Sequence, residues 1–181
     1  GFSDVTALLN GIYQKTGLVC FHGPVGSTIN DEYSKEAFKA ILENKTSSYH
    51  LTNSVLSEDQ KINTEYERYI IHPGKTRGTL VGGSLTLINA LIGTPDEIDF
   101  TDRLVCIEDV EEAPYRIDRM LTQLIKGDTF KKASGIIFGV CAGCDRPNKP
   151  NSFTLKEVLI DRIKPLGIPA MYGMSFGHID Q

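Results

Sequence analysis

Leu104-Val105-Cys106-Ile107-Glu108-Asp109 is the stretch from which the fold is read: a compact apolar run that closes on two acids. Such a run, bounded by polar residues, predicts a buried strand with a charged end. Upstream, Gly78-Thr79-Leu80-Val81-Gly82-Gly83 predicts a strand running into a glycine turn. Ser84–Leu91 then predicts a helix, closed by Gly93-Thr94-Pro95. Downstream, Ile117, Met120, Leu121 and Leu124 recur at helical spacing within Tyr115–Ile125, and Gly127 ends that helix. Gly135–Val140 predicts another buried strand, and Thr154–Lys164 a helix followed by Pro165 and Gly167. Pro169–Tyr172 predicts a last short strand that delivers Gly177-His178. Strands alternate with helices, which argues for an α/β fold with a mostly parallel or mixed sheet. The sequence has no internal repeat and no low-complexity segment.

The first 70 residues have a different texture. Residues 4–16 predict a helix, with Asp4 of N-cap type, Val5, Leu8, Leu9 and Ile12 as an apolar face, and Gly17 as C-cap. Leu18–Phe21 is a short strand candidate, closed by His22-Gly23-Pro24. Residues 31–43 predict an amphipathic helix with Tyr33, Phe38, Ile41 and Leu42 as apolar members. Residues 44–73 are more polar and read as a connector, where Tyr66, Tyr69 and Ile71 hint at strand. The boundary between two units falls near residues 70–76.

Composition sets the bounds. With 181 residues, 40% hydrophobic and 23% charged, the chain supports one full domain, or one domain with part of another. The net charge of -4 and the scattered lysines and arginines exclude a nucleic-acid footprint. No apolar run approaches the roughly 20 residues that cross a bilayer, and no signal peptide is visible. Gly1-Phe2-Ser3-Asp4 reads as the middle of a longer chain. Cys20, Cys106 and Cys141 lie in apolar runs, as reduced and buried small hydrophobes do, which points to a reducing, cytoplasmic compartment.

Gly1-Phe2-Ser3-Asp4 resembles a nucleophile elbow. On a sharp strand-to-helix turn a serine hydroxyl is exposed at a helix N-terminus that favours developing negative charge. The backbone N–H of Asp4 would then be an oxyanion donor. The alternative is that Ser3 or Asp4 simply caps the helix. A serine nucleophile needs a base and an orienting acid. The histidines available are His22, His50, His72 and His178. His178 follows a predicted strand, the end at which open α/β sheets build sites. Glu108 also stands at a strand end, where a carboxylate can accept an imidazole N–H. A solvated loop histidine and a surface acid are the alternatives. Glu108, Asp109, Glu111, Glu112 and Asp118 could be drawn as a metal cluster, but apart from Glu108 they read as a solvated acidic segment. Cys141-x-x-Cys144, followed by the loop Asp145-Arg146-Pro147-Asn148, reads as two unpaired structural thiols rather than a zinc or redox motif.

Several segments together resemble the LD-carboxypeptidase family, which includes muramoyltetrapeptide carboxypeptidase and the microcin C self-immunity protein. They are Gly1–Leu8, Phe21-His22-Gly23-Pro24, Gly78–Leu87, Leu104–Leu121 with Ile107-Glu108-Asp109-Val110, Gly135–Gly139 and Tyr172–His178. The resemblance implies a swivelling β/β/α-like C-terminal domain over residues 71–181. Residues 1–70 would be the tail of a nucleotide-fold-like N-terminal half, carrying the elbow and a connector. It further implies a serine peptidase with Ser3 as nucleophile, Glu108 as triad acid and His178 as base, without metal or cofactor. The implied substrate is a murein peptide ending in D-alanine, cleaved in cytoplasmic peptidoglycan recycling by a homodimer. Against the family pattern, the chain lacks the N-terminal region, stops three residues after His178, and has Ser84 where Asn is frequent. A chain truncated at both ends is therefore expected, weak or inactive by itself. The rival expectations are a microcin-immunity hydrolase of aminoacyl or peptidyl nucleotides, a truncated non-catalytic binding module, and a Cys141/Cys144 redox or metal protein.

Overall fold

The computed structural model describes residues 1–43, 48–145 and 151–179. Its elements are helices α1 (Val5–Thr16), α2 (Glu32–Leu42) and α3 (Glu58–Ile62), then strands β1 (Tyr69–His72) and β2 (Thr79–Ser84). Helix α4 (Leu85–Ala90), β3 (Arg103–Glu108), α5 (Pro114–Lys126), β4 (Gly135–Gly139), α6 (Leu155–Ile163) and β5 (Ala170–Met174) follow. The strands form one mixed sheet in the order β1-β5-β4-β3-β2. Strands β2, β3, β4 and β5 run parallel, and β1 adds to β5 antiparallel.

The α/β alternation read from the sequence is the observed one. Helices α4, α5 and α6 are the crossovers, and they pack side by side. Their apolar stripes meet the sheet through Leu85, Ile88, Ile117, Leu121, Leu159 and Ile163, all nearly inaccessible, against Val105, Ile107, Ile136 and Phe138. Each such side chain contributes about 1.5–3 kcal/mol by leaving water. Local signals end the helices as expected. Thr154 caps α6 in a reciprocal capping box with Glu157, and Gly17 and Gly167 take the left-handed conformation.

Several expectations are corrected. Leu18–Phe21 is not a strand: it forms no regular element, and Leu18 and Val19 are 63% and 66% exposed. Cys20 is accordingly only half-buried, as is Cys106, whereas Cys141 and Cys144 are buried; all four thiols are free. Gly82-Gly83 is not a turn but lies inside β2. Gly83 has φ +132, and a β-carbon there would fall 2.4 Å from Thr6 Oγ1, so helix and strand approach too closely for any side chain. Asp4 flanks α1 with helical dihedrals and no side-chain cap bond. The apolar face assigned to α1 is wrong as well: Leu8 is 60% exposed, and the buried residues are Thr6 and Asn10. Tyr66 belongs to a 3-10 turn rather than a strand. Phe38, Ile41 and Leu42 of α2 remain exposed. Arg146, Pro147 and Asn148, read as loop, lie outside the described residues.

The polar face of α1 has a clear cause. β2 is an edge strand, and its outward backbone groups need partners. Asn10 Nδ2 donates to Gly82 O at 2.8 Å, and Ser84 N donates to Thr6 Oγ1 at 3.1 Å. Helix α1 thus closes the sheet edge through side-chain hydrogen bonds where a strand would have used its backbone.

Candidate active site

Glu108 is the last residue of β3, 1% exposed, with its side chain at the carboxyl end of the parallel strands. His178 arrives from β5, two strands away across β4. To reach Glu108 the segment after β5 must cross the end of β4. Val140 N donates to Phe176 O at 3.0 Å, which fastens that crossing. Gly177 makes it possible: its φ is +129, and a β-carbon would lie 2.5 Å from Val140 O. His178 Nδ1 then meets Glu108 Oε2 at 2.7 Å, with the imidazole itself half-buried.

Burial pushes the Glu108 carboxyl above its ordinary value, and the hydrogen bond and charge of His178 pull it back down. The second oxygen, Oε1, is buried and has no hydrogen-bond partner among the described residues. One oxygen is therefore dedicated to the imidazole Nδ1–H. That bond fixes the tautomer that leaves Nε2 as the basic nitrogen.

Ser3 has φ +62, a conformation rare for a residue with a side chain, and stands at the entry to α1. Its neighbour Phe2 packs edge-on against the His178 ring, with centroids 4.8 Å apart. The elbow and the Glu108–His178 pair therefore meet in one place. Among the described residues no hydrogen bond joins Ser3 to His178, and the Asp4 N–H is unengaged. The other histidines stand elsewhere or face other partners. His22 Nε2 lies 3.3 Å from Thr6 Oγ1, His72 Nδ1 faces Pro73 O, and His50 is exposed.

The remaining acids do not gather. No group of His, Cys, Asp and Glu suited to a metal ion occurs among the described residues. Asp109, read as part of a solvated acidic segment, is instead 4% exposed. It accepts bonds from Thr86 N, Thr86 Oγ1 and Val110 N, and so ties α4 to the end of β3. Sequence reasoning missed Thr6, Asn10, Gly83 and Gly177. The i, i+4 spacing of Thr6 and Asn10 was a usable signal, overshadowed by the apolar residues between them.

A buried Glu–His pair and a positive-φ serine thus lie together at the carboxyl end of the parallel strands, the end at which open α/β sheets build their sites. The comparisons with known proteins give the family. The LD-carboxypeptidase C-terminal domain matches residues 77–181. The chain is 39% identical to a probable murein peptide carboxypeptidase of Bacillus subtilis, over 98% of this chain and 54% of that one. It is 32% identical to the microcin C7 self-immunity protein MccF of Escherichia coli, over 98% of this chain and 57% of that one. Among solved structures it superposes on muramoyltetrapeptide carboxypeptidase from Oxalobacter formigenes with TM-score 0.77 and 26% identity, over 99% of this chain and 58% of that one. The chain belongs to the LD-carboxypeptidase family, a family of peptidases. It spans about half the length of the curated relatives it matches.

Proposed function

We propose that the protein is a serine carboxypeptidase that removes the C-terminal D-amino acid from an L-centre of murein tetrapeptides, in peptidoglycan recycling. The observation that carries this reading is the 2.7 Å bond between His178 Nδ1 and the buried Glu108, with the Ser3 elbow packed against the same imidazole through Phe2. In the proposed reaction His178 Nε2 takes the Ser3 proton. Ser3 Oγ attacks the carbonyl preceding the last residue, and the Asp4 N–H donates to the oxyanion. His178 then protonates the leaving amine, and an ester remains on Ser3. Water, deprotonated by His178, releases the acid and restores the serine. No metal or cofactor enters any step.

In the same reading, residues 1–70 are the end of an N-terminal unit that carries the elbow, and residues 71–181 are the C-terminal domain. The family match over 77–181 supports the second unit. The protein acts as a cytoplasmic homodimer on a murein peptide, without nucleic acid or membrane. The charge of -4 agrees with the first of these exclusions. No helix among the described residues is long and apolar enough to cross a membrane.

The test is D-alanine release from a murein tetrapeptide by the intact protein and by its Ser3→Ala variant. Release by the first and its loss in the second supports the reading. The 32% identity to MccF motivates one alternative, hydrolysis of an aminoacyl or peptidyl nucleotide. Cleavage of an aminoacyl-sulfamoyl nucleotide without D-alanine release would replace the murein substrate by that one. Inertness toward both would favour a non-catalytic binding module.

A further inference from the structure

We propose that Thr6 is a positioning residue, which fixes the Ser3 elbow against the pair of strands that carries Glu108. The inference rests on the serine reading above.

Thr6 is completely buried, on the first turn of α1, and every polar atom it has is engaged. Its N–H donates to Ser3 O at 2.9 Å, closing the turn on the elbow residue itself. Its carbonyl accepts from Asn10 Nδ2 at 2.8 Å, and the same Nδ2 donates to Gly82 O. Its hydroxyl accepts from Ser84 N at 3.1 Å. A hydroxyl has one proton and two acceptor sites. With Ser84 N–H on one lone pair, the proton is free to point at His22 Nε2, 3.3 Å away.

The strand end of this linkage is not arbitrary. Ser84 lies directly opposite Glu108 in the β2–β3 register. Hydrogen bonds therefore link Ser3 O through Thr6 to Ser84, and Ser84 stands beside Glu108, the partner of His178, on the neighbouring strand. The contact is also tight in the lateral direction. A β-carbon on Gly83 would fall 2.4 Å from Thr6 Oγ1 and 2.6 Å from its Cγ2, so the helix sits in a notch that only glycine leaves open. Helix α1 can neither slide along β2 nor roll on it without breaking the Ser84 and Gly82 bonds together.

A helix held only for stability would bury an apolar residue here, because a buried hydroxyl is costly unless bonded. Thr6 gives up that advantage and gains direction: hydrogen bonds specify distance and angle where apolar contacts specify only proximity. For a nucleophile that must meet a base carried on another strand, direction is the property that limits the rate.

The test uses the intact protein as it is encoded, with Thr6→Val, which keeps the shape and removes the hydroxyl, and Thr6→Ser, which keeps the hydroxyl. Turnover of a murein tetrapeptide is measured beside the rate at which a fluorophosphonate probe labels Ser3. The expected result for T6V is a fall in kcat of about 100-fold, the scale of a 1 Å misplacement. KM stays within about threefold of wild type, the pattern of a loss felt in the transition state. Probe labelling slows in parallel, and T6S recovers both rates. A T6V protein that melts lower but labels Ser3 at the wild-type rate overturns the proposal and leaves Thr6 a packing residue. Should T6V not fold, T6A replaces it, and equal labelling rates in T6A and T6S overturn the proposal in the same way. Labelling and turnover that persist in Ser3→Ala overturn the serine reading itself, and this inference with it.

Discussion

Replacing Glu108 by Gln exchanges one carboxylate oxygen for an amide nitrogen at the position that decides the tautomer of His178. The carboxylate presents one oxygen to His178 Nδ1 at 2.7 Å and holds the other in a buried place without a partner. The amide must choose. With its oxygen toward Nδ1, its NH2 falls where Oε1 was, as a buried donor with no acceptor, at a cost of about 1–3 kcal/mol. With its NH2 toward Nδ1, only an acceptor is left over, as it already is in the wild type. The second arrangement is favoured roughly 5- to 150-fold, at 1.36 kcal/mol per decade. It forces the imidazole proton onto Nε2, where the base is needed. In the proposed reaction the amide also cannot stabilise the imidazolium formed when His178 takes the Ser3 proton. The expected fall in kcat is roughly 10³- to 10⁴-fold, the order found when the orienting carboxylate of a serine triad becomes an amide.

Stability behaves in the opposite sense. Burial raises Glu108 above its ordinary 4.5, against the pull of the His178 hydrogen bond and charge. A carboxyl raised in this way contributes stability that is fully present below about pH 4.5 and is lost as the pH climbs through its folded value. Gln does not ionise, so E108Q melts no lower than wild type at pH 7, and its relative standing declines toward pH 4. The assays are D-alanine release at saturating tetrapeptide, ¹⁵N shifts of the His178 ring, and melting curves at the two pH values. E108Q activity within tenfold of wild type, or a His178 proton that stays on Nδ1, would refute the tautomer argument.

Two further changes probe the frame around the site. Gly83→Ala places a methyl 2.4 Å from Thr6 Oγ1 at φ +132; it should cost about 2–5 kcal/mol from strain and overpacking together. Urea midpoints read that loss, and a stability within about 1 kcal/mol of wild type would show that α1 yields easily. Burial pushes the Cys106 thiol up to about 11, so at pH 8 only about a thousandth of it is thiolate. Cys141 is also raised well above its ordinary value, through the Cys144 hydrogen bond first and burial second. Alkylation followed by mass spectrometry at pH 8 should modify Cys20 in native protein, and Cys106 and Cys141 only after unfolding. Rapid native modification of Cys106 would contradict the burial that raises its own thiol.

The depth of the sequence reading differs between the halves of the chain. From residue 76 on, each apolar run met its partner layer, so β2 to β5 and α4 to α6 were legible from spacing, capping residues and glycines. Glu108 and His178 could each be placed at a strand end by the same logic. Before residue 70, the spacing of Val5, Leu8, Leu9 and Ile12 suggested a face that the structure leaves largely half-exposed. Leu18–Phe21 had strand composition but pairs with no strand among the described residues.

The sequence by itself determined the α/β alternation, the helix ends at Gly17, Gly127 and Gly167, and the acid at the end of β3, because these depend on neighbours along the chain. Only the tertiary structure showed how His178 reaches Glu108, since the bond spans 70 residues and the chain passes over β4 at Gly177. Tertiary structure alone also decided that α1 buries Thr6 and Asn10. An edge strand with open backbone groups demands hydrogen bonds from whatever covers it, and that demand is invisible until strand and helix are side by side.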